Sequence, residues 1–455
     1  MNYTTSRAAN HLDQLNPGQD HPFSMCWSPR RRKLLAISLL AFVVALLLFA
    51  NELTTSDLSK VIPTLSVADR ALTMTTTVTA PAATQTVYRD VIVTPEPVVF
   101  VLIMWSEVSA AEGAILIKSI LMYNSSPSEF HIICDDAAEN YLRARFARIE
   151  RPASNIKVRY YKPSWQSMQD RVDREGSIQT DHSAGLPGLM KLFIHEIVPL
   201  SVTKGIYVDT DAFFISDPTS LWKVFDTLKP STAIVMSSHP DQSSPEWHHA
   251  SRICSCVMLL DLQKLRDLRL MDSSVYREDK SGQFPPALSP DTFRTMYGLP
   301  GGDGNGRYDN VRLGDQGYWW AIVHHRPDIF EPLSYDYEVT SCLLDSYLTG
   351  LGEDTISKEE ELGRQIHLKD TPQEGKTVLP KLLHFNCLHG TPIYTEWSGW
   401  SDPTNSLAKR WGAAVAYHVG YKWIWLNRKE GDDTSVDIAS HANILFADDQ
   451  FHHST

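Results

Sequence analysis

The sequence predicts an α/β fold whose main sheet is mixed and mostly parallel. From Pro97 onward, short apolar runs alternate with longer stretches of helical character. A chain of 455 residues that is 43% hydrophobic and 21% charged has the material for a large core. One apolar run, residues 206–208, leads directly into Asp209 and Asp211. Paired carboxylates at that point indicate a crevice at the carboxyl ends of the strands, where ligands collect in open α/β sheets.

The predicted elements follow the order of a parallel α/β unit. Three strands separated by two helices give βαβαβ, which is typical of a sheet covered on both faces. A third helix then leads into the strand that carries the two aspartates, and two further strands follow. The predicted strands are residues 98–105, 130–136, 156–161, 206–208, 232–238 and 254–262, and the predicted helices are residues 110–124, 137–150 and 186–198.

One segment near the beginning of the chain is a candidate membrane span. Residues 34–50 are uncharged and apolar, and four basic residues, 30–33, precede them directly. As a helix they span roughly 26 Å, the short end of what a bilayer requires. The basic flank predicts a cytoplasmic tail (1–33), a signal-anchor helix (34–50) and a lumenal remainder, as in a single-pass type II membrane protein. A cleaved signal peptide is the alternative, with an unusually long basic region and no small-residue cleavage site.

The rest of the chain divides by composition into a linker, a head and a tail. Residues 51–95 contain eleven threonines and few large apolar residues, which predicts a disordered stalk. Residues 96–430 form the predicted head, and residues 431–455 are expected to be a mobile tail. Five cysteines follow the apolar segment, so an odd number precludes a complete disulfide framework. The net charge of −12 argues against a nucleic-acid partner.

The two aspartates are the first candidate functional residues. Residues two apart on an extended chain point to the same side, so Asp209 and Asp211 could share one divalent cation through their oxygens. A turn or helix-cap pair is the alternative, because aspartate is a common capping residue. The spacing by itself is a weak signal.

The wider context resembles glycosyltransferase family 8, the group that includes glycogenin and the glucoside xylosyltransferases. Residues 188–222, GLMKLFIHEIVPLSVTKGIYVDTDAFFISDPTSLW, combine a basic residue before leucine, an apolar strand, the D-x-D pair and a D-x-x-x-L-W ending. Further counterparts occur in the family's order. They are AILIKSIL (114–121), CVMLLDLQKLR (256–266), GDQGYWWAI (314–322) and KLLHFN (381–386).

The resemblance implies a GT-A-like, Rossmann-type nucleotide-sugar fold and a retaining, Mn²⁺-dependent transfer of a hexose or pentose. The donor would be a UDP-sugar, the acceptor a glycan or glycoconjugate, and the location the Golgi or endoplasmic-reticulum membrane with the head in the lumen. Asp209, Asp211 and His384 would bind Mn²⁺. A divalent ion suits this chemistry because it neutralises the charge that develops on the leaving diphosphate.

The resemblance also implies roles for residues around the donor sugar. Lys191 would contact the donor's phosphate or sugar, although a solvated helix lysine is the alternative. Asp315 and Gln316 match a pair that lies beside the anomeric carbon. Because an amide is a poor nucleophile, we expect Gln316 to stabilise positive charge at that carbon instead of forming a covalent intermediate.

Two departures from the family pattern stand out. Cys254-Ser255-Cys256 replaces the usual N-[ST]-G, and we expect the two cysteines to point to opposite faces of their strand as ordinary buried thiols, with a metal or redox pair as the alternative. The family's diphosphate-binding lysine has no match, so His389 or Lys381 could substitute for it. A catalytically weak pseudo-glycosyltransferase that binds glycans or partners is therefore the alternative function.

Overall fold

The computed structural model describes residues 75–80, 83–88, 95–175, 178, 180, 182–238, 252–269, 271, 313–341, 374, 376, 378–388, 390–391, 393–428 and 434–447. The chain divides into two units, residues 1–93 and 94–455. The predicted signal-anchor helix (34–50) and His389 lie outside the described residues. No helix within the described ranges has the length and apolar character needed to cross a bilayer.

The described part of the first unit is a β-hairpin. Strand β1 (Thr75–Ala80) pairs antiparallel with β2 (Ala83–Tyr88), with Thr75 opposite Tyr88. The prediction of a stalk without regular structure is therefore wrong at these residues. Both strands are rich in threonine, whose β-branched side chain favours extended backbone, and a composition argument about core formation does not capture that local preference.

The second unit contains eleven strands and nine α-helices among its described residues. Its strands are β3 (Val98–Met104), β4 (Ser128–Cys134), β5 (Ile156–Lys162), β6 (Lys204–Val208), β7 (Ala212–Phe214), β8 (Ile234–Ser238), β9 (Ile253–Asp261), β10 (Phe330–Leu333), β11 (Val339–Thr340), β12 (Leu382–His384) and β13 (Val436–Ala442).

Its helices are α1 (Glu107–Tyr123), α2 (Asp136–Phe146), α3 (Trp165–Glu175), α4 (Gly185–Leu189), α5 (Ile194–Ile197), α6 (Thr219–Trp222), α7 (Leu262–Asp267), α8 (Asp315–His325) and α9 (Ser406–Gly420). Short 3₁₀ helices lie at Met190–Phe193, Lys223–Thr227, Pro327–Ile329, Tyr335–Tyr337, Tyr394–Glu396, Ser398–Ser401 and Trp423–Leu426.

The main sheet has the strand order β10-β8-β9-β6-β3-β4-β5-β13. Strand β9 runs antiparallel to both of its neighbours, while the other strand pairs of this sheet are parallel. Successive residues of β3 point to opposite faces of the sheet and pack in different hydrophobic clusters. Phe100 lies in the cluster that contains Leu116 of α1, and Val101 lies in the cluster that contains Trp319 of α8. The predicted α/β class with a mixed, mostly parallel sheet is confirmed.

A second, three-stranded sheet has the order β11-β12-β7. Strand β12 pairs antiparallel with β7, which places His384 opposite Ala212. It pairs parallel with β11, which places His384 opposite Thr340. Because β7 begins just after the two aspartates, this small sheet brings distant parts of the sequence to the carboxyl end of β6.

The structure corrects two predicted segments. The helix expected at 186–198 is divided into α4, a 3₁₀ turn and α5, and because residues 189–198 are all buried, tertiary packing outweighs helix propensity there. The tail expected to be mobile contributes β13, which pairs with β5 over seven residues. Val436 and Ile438 in β13 pack against the core, and their short alternating pattern was obscured by the polar residues on either side.

Candidate active site

The crevice is built where β6 ends. The backbone N–H of Asp209 donates to the carbonyl of Cys256 at 2.8 Å, which ties the chain after β6 to β9. The carbonyl of Asp211 accepts from the backbone N–H of Phe385 at 2.8 Å, which ties the same turn to the end of β12. Backbone hydrogen bonds to two different strands therefore fix the positions of the two aspartates.

Asp209, Asp211 and His384 form what we call the crevice trio. One ligand atom from each lies within 4.8 Å of the others. The two aspartate side chains are 27% and 28% exposed, whereas the imidazole is 4% exposed. Two carboxylates and one imidazole suit a divalent cation such as Mn²⁺, and the partial exposure leaves room for further ligands from water or a diphosphate. The predicted trio is brought together and fits a metal ion.

His384 lies between two carboxylates. Its Nε2 is 3.3 Å from Asp211 Oδ1, and its Nδ1 is 2.9 Å from Glu338 Oε1. Burial by itself lowers the pKa of His384, but Asp211 and Glu338 outweigh it and hold that pKa well above its usual range. In return, the pKa of Asp211 is lowered by His384 in spite of burial. A cation bound in the crevice would neutralise the carboxylates in place of the imidazolium, and His384 would release its proton when the cation binds.

Lys191 is buried inside the crevice, so the alternative of a solvated helix lysine is wrong. Its Nζ lies 2.8 Å from Asp209 Oδ1 and 3.3 Å from Asp315 Oδ1, and 4.9 Å from the centre of the Tyr207 ring. Burial lowers its pKa, but Asp209 and Asp315 outweigh that effect and raise it well above the usual value. Lys191 is therefore a fixed cation beside Asp209, one of the two carboxylates predicted to bind a metal ion.

Asp315 and Gln316 begin helix α8, directly after Gly314, whose φ is 58°. Asp315 accepts a 2.8 Å hydrogen bond from the Ser255 hydroxyl and pairs with Lys191, while burial raises its pKa. The structure therefore joins Asp315 to the crevice. Gln316 follows it in the first turn of α8 and is half-buried. Lys381, suggested as a substitute for the absent lysine, lies beside Tyr337, to whose hydroxyl its Nζ donates at 3.3 Å.

The two cysteines are buried free thiols, as predicted, but the prediction that they point to opposite faces of their strand is wrong. Cys254 and Cys256 lie on the same face of β9, with their sulfurs 3.2 Å apart. Side chains alternate along a strand, so residues two apart share a face. A bulge in the pairing of β8 with β9 lies at this point, where Ser237 is opposite Cys254 and the preceding Met236 is opposite Met258.

Sequence reasoning missed three residues in or beside the crevice. Glu338 contacts His384 from the turn before β11, and Tyr207 donates its hydroxyl proton to Asp209 at 2.6 Å. Glu112 of α1 accepts from the Thr210 hydroxyl at 2.7 Å and from the backbone N–H of Tyr394 at 3.2 Å. Burial, reinforced by Asp211, raises the pKa of Glu112 to about 7. The sequence signal for Glu112 is an acidic residue early in α1, the helix that follows β3.

The geometry of the crevice defines a class of site. Three metal-ligand side chains and a buried lysine converge at the carboxyl end of a strand, with the carboxylates open to solvent. Such a crevice suits a divalent cation together with an anionic ligand that completes its coordination.

Comparison with known proteins gives similarity to glycosyltransferases. No protein-family model matches the chain. Xylosyl- and glucuronyltransferase LARGE2 of Rattus norvegicus is 36% identical over 117 residues, which cover 26% of this chain and 16% of that protein. Xylosyl- and glucuronyltransferase LARGE1 of Homo sapiens is 35% identical over 115 residues, which cover 25% of this chain and 14% of that protein. The chain thus covers a small part of these relatives, and the predicted resemblance to glycosyltransferases is confirmed.

Two solved structures are similar at lower identity. Mouse xyloside xylosyltransferase 1 in its apo form gives a TM-score of 0.45 at 15% identity, covering 65% of this chain and 100% of that chain. The galactosyltransferase LgtC, in complex with donor and acceptor sugar analogs, gives a TM-score of 0.45 at 12% identity, covering 74% of this chain and 98% of that chain. At these values the structural likeness assigns neither an activity nor a site residue.

Proposed function

We propose that this chain is a metal-dependent glycosyltransferase that moves a hexose or pentose from a UDP-sugar to a glycan or glycoconjugate acceptor with retention of configuration. The observation that carries the proposal is the crevice trio, with its two carboxylates open to solvent and its imidazole buried. The motif resemblance and the sequence similarity to xylosyl- and glucuronyltransferases support the same reaction class.

Each crevice residue has a role that follows from its charge and position. Asp209, Asp211 and His384 would hold Mn²⁺, which when bound neutralises the diphosphate leaving group. Lys191 is a fixed positive charge beside Asp209, suited to an anionic donor once the ion occupies the carboxylates. Asp315 holds Lys191 in place from the other side. The amide of Gln316, next in the same helical turn, stabilises positive charge at the anomeric carbon without a covalent step.

The names of the relatives suggest the order in which sugar donors should be tested. Because those relatives are named as xylosyl- and glucuronyltransferases, UDP-xylose and UDP-glucuronate come first in a donor panel, followed by UDP-glucose and UDP-galactose. His389 remains a proposed contact of the diphosphate.

The test is Mn²⁺-dependent turnover of that donor panel by the purified full chain. We expect one donor to be hydrolysed or transferred with Mn²⁺ and not with a chelator, and product analysis to show the donor's anomeric configuration. Asp209→Asn should remove the turnover, while Asp226→Asn, the same change at an exposed position, should leave it intact. Binding of glycans without turnover of any donor would instead support the pseudo-glycosyltransferase alternative.

We also propose that the chain is anchored in the Golgi or endoplasmic-reticulum membrane with its head in the lumen. The basic residues 30–33 and the apolar residues 34–50 carry this proposal. A tag at the C-terminus should be protected from protease in intact microsomes and digested after detergent is added, while a tag at the N-terminus should be digested in both. Digestion of the C-terminal tag without detergent would contradict this topology.

A further inference from the structure

A second group of metal-ligand side chains lies beneath the crevice. Cys254, Cys256, Glu338 and His384 place one ligand atom each within 4.8 Å of one another, and we call them the inner cluster. Their exposures are 4%, 2%, 1% and 4%, so the group is enclosed by protein. Carboxylates and imidazoles that are buried to this degree need a partner of opposite charge or a metal ion.

The contacts within the inner cluster converge on one point. The two sulfurs are 3.2 Å apart, the thiol of Cys256 donates to Glu338 Oε2, and His384 Nδ1 is 2.9 Å from Glu338 Oε1. Both thiols are free, since 3.2 Å exceeds a disulfide bond by more than 1 Å. Each of these donor atoms thus faces another member of the cluster.

The scaffold that holds these four residues is made of paired backbone. The backbone carbonyl of Cys256 accepts from Asp209, which fixes β9 against the end of β6. Glu338 immediately precedes β11, and β11 pairs with β12 so that Thr340 lies opposite His384. The ligand positions are therefore set by two sheets before any ion binds, which lowers the cost of assembling a coordination shell.

We propose that the inner cluster is a binding site for a thiophilic divalent cation of the zinc class. Two thiolates, one imidazole nitrogen and one carboxylate oxygen make a four-coordinate set of the kind zinc takes in proteins. Sulfur ligands favour such ions over Mg²⁺, Ca²⁺ or Mn²⁺. Because all four side chains are buried, no position is left open for substrate, so the role of the ion is structural and not catalytic.

The inner cluster and the crevice trio require opposite tautomers of His384 to bind a cation. A cation in the inner cluster takes the lone pair of Nδ1 and leaves the proton on Nε2, which faces Asp211 at 3.3 Å. A cation in the crevice takes Nε2 and leaves the proton on Nδ1, which faces Glu338. Cys254, Cys256 and Glu338 have no part in the proposed transfer reaction, so binding of zinc can be tested without any sugar donor.

The test is a metal titration of the purified full chain in reducing, oxygen-free buffer. After removal of metals with a chelator, we expect one equivalent of zinc to bind, and Co²⁺ in its place to give a sulfur-to-metal charge-transfer band. Cys254→Ser and Cys256→Ser should each weaken zinc binding by roughly a hundred-fold or more and remove the band. Absence of both zinc binding and the cobalt band in the wild type would overturn the proposal.

Two variants distinguish zinc binding at the inner cluster from zinc binding at another thiol or in the crevice. Cys134→Ser changes another fully buried free cysteine, on β4, and should keep both zinc and the cobalt band. The double variant Asp209→Asn/Asp211→Asn should also keep them, because the crevice aspartates are not ligands here. Loss of the band in Cys134→Ser, or in the aspartate variant with the fold retained, would assign the ion elsewhere. If the serine variants do not fold, the wild-type band and its persistence in Cys134→Ser decide the question.

Discussion

The crevice trio and the inner cluster share one histidine but differ in exposure and in donor chemistry. The crevice carboxylates are more than a quarter exposed and offer oxygen, whereas the thiols and Glu338 of the inner cluster are at most 4% exposed and two of its donors are sulfur. An open oxygen site can exchange its ion and accept a substrate as a further ligand. A closed sulfur site holds its ion against solvent and has no place for a substrate.

The difference shows how one imidazole can connect the crevice trio to the inner cluster. His384 uses opposite edges of its ring for Asp211 and Glu338. The tautomer of the ring is set by whichever partner takes the lone pair, so occupancy at one edge alters what the other edge can offer. Substitutions on either side of the ring are therefore the way to separate the two groups.

The largest effect is expected from Asp209→Asn or Asp211→Asn. Each change keeps the shape of the side chain and removes a charged ligand, so we expect donor turnover to be lost. The cost should exceed about 3 kcal/mol in transition-state stabilisation, the scale of removing one preorganised electrostatic contact. Steady-state kinetics with the best donor measure it, and circular dichroism should show a folded protein. Turnover within ten-fold of the wild type in both variants would contradict the role of the crevice.

The next effect is expected from Lys191→Met, which keeps the length of the side chain without its charge. The change leaves Asp209 and Asp315 without their shared cation, and Asp315 is 7% exposed. We expect a loss of about 2–3 kcal/mol in the free energy of unfolding, less than for a fully enclosed pair because Asp209 reaches solvent. Urea unfolding measures it. Lys223→Met, at an exposed position, is the control and should change little.

His384→Ala should act on both groups at once. We expect a loss of turnover smaller than for the aspartates, roughly ten- to hundred-fold, because two carboxylate ligands of the crevice remain. The same substitution should weaken zinc binding at the inner cluster, whereas Asp211→Asn and Cys254→Ser each remove a ligand of one group only. Isothermal titration with Mn²⁺ and with zinc measures both affinities. If His384→Ala loses affinity for one ion and keeps full affinity for the other, the ring is not shared.

The smallest effect is expected from Glu112→Gln at the wall of the crevice. Burial, together with Asp211, raises the pKa of Glu112 to about 7, so the protonated form that glutamine mimics dominates in mildly acidic solution. As pH rises from the unfolded value near 4.5 to about 7, the unfolded wild type ionises first and its folded state loses relative stability. The variant lacks this loss, so it should gain about 1–2 kcal/mol over wild type across that interval. Urea unfolding of the metal-free proteins from pH 4 to 8 measures it, and a constant difference would contradict it.

Much of the fold could be predicted from the sequence because its first strands have a strong apolar pattern, either a continuous run as in β3 or an alternation as in β5. The first three strands, 98–105, 130–136 and 156–161, were expected within two residues of their observed ends. Strand β13 could not be predicted as easily, because an edge strand buries few side chains and leaves a weak pattern. The division of the predicted helix around Lys191 was also not predictable from the sequence. Tertiary packing and not local helix preference decides where the α-helix gives way to the 3₁₀ turn.

The crevice was more predictable than the inner cluster for a related reason. Asp209 and Asp211 lie close together in the sequence, and His384 lies in a recognisable motif. Glu338 carries no such motif, and it reaches His384 only because β11 pairs with β12 in a sheet that sequence periodicity does not reveal. The two cysteines are recognisable in the sequence as a pair. Their shared face follows from the alternation of side chains along β9, which places residues two apart on the same side.

The most direct test of the central claim, that the crevice trio binds an ion and a nucleoside diphosphate together, is a thermal-shift series. The wild type is melted with Mn²⁺ alone, with UDP alone and with both. We predict that the two together raise the melting temperature by more than the sum of their separate effects, because the diphosphate completes the coordination of the ion. The double variant Asp209→Asn/Asp211→Asn should lose this excess. Equal shifts in the wild type and the double variant would show that the two aspartates hold no ion, and the proposed transfer reaction would then lose its basis.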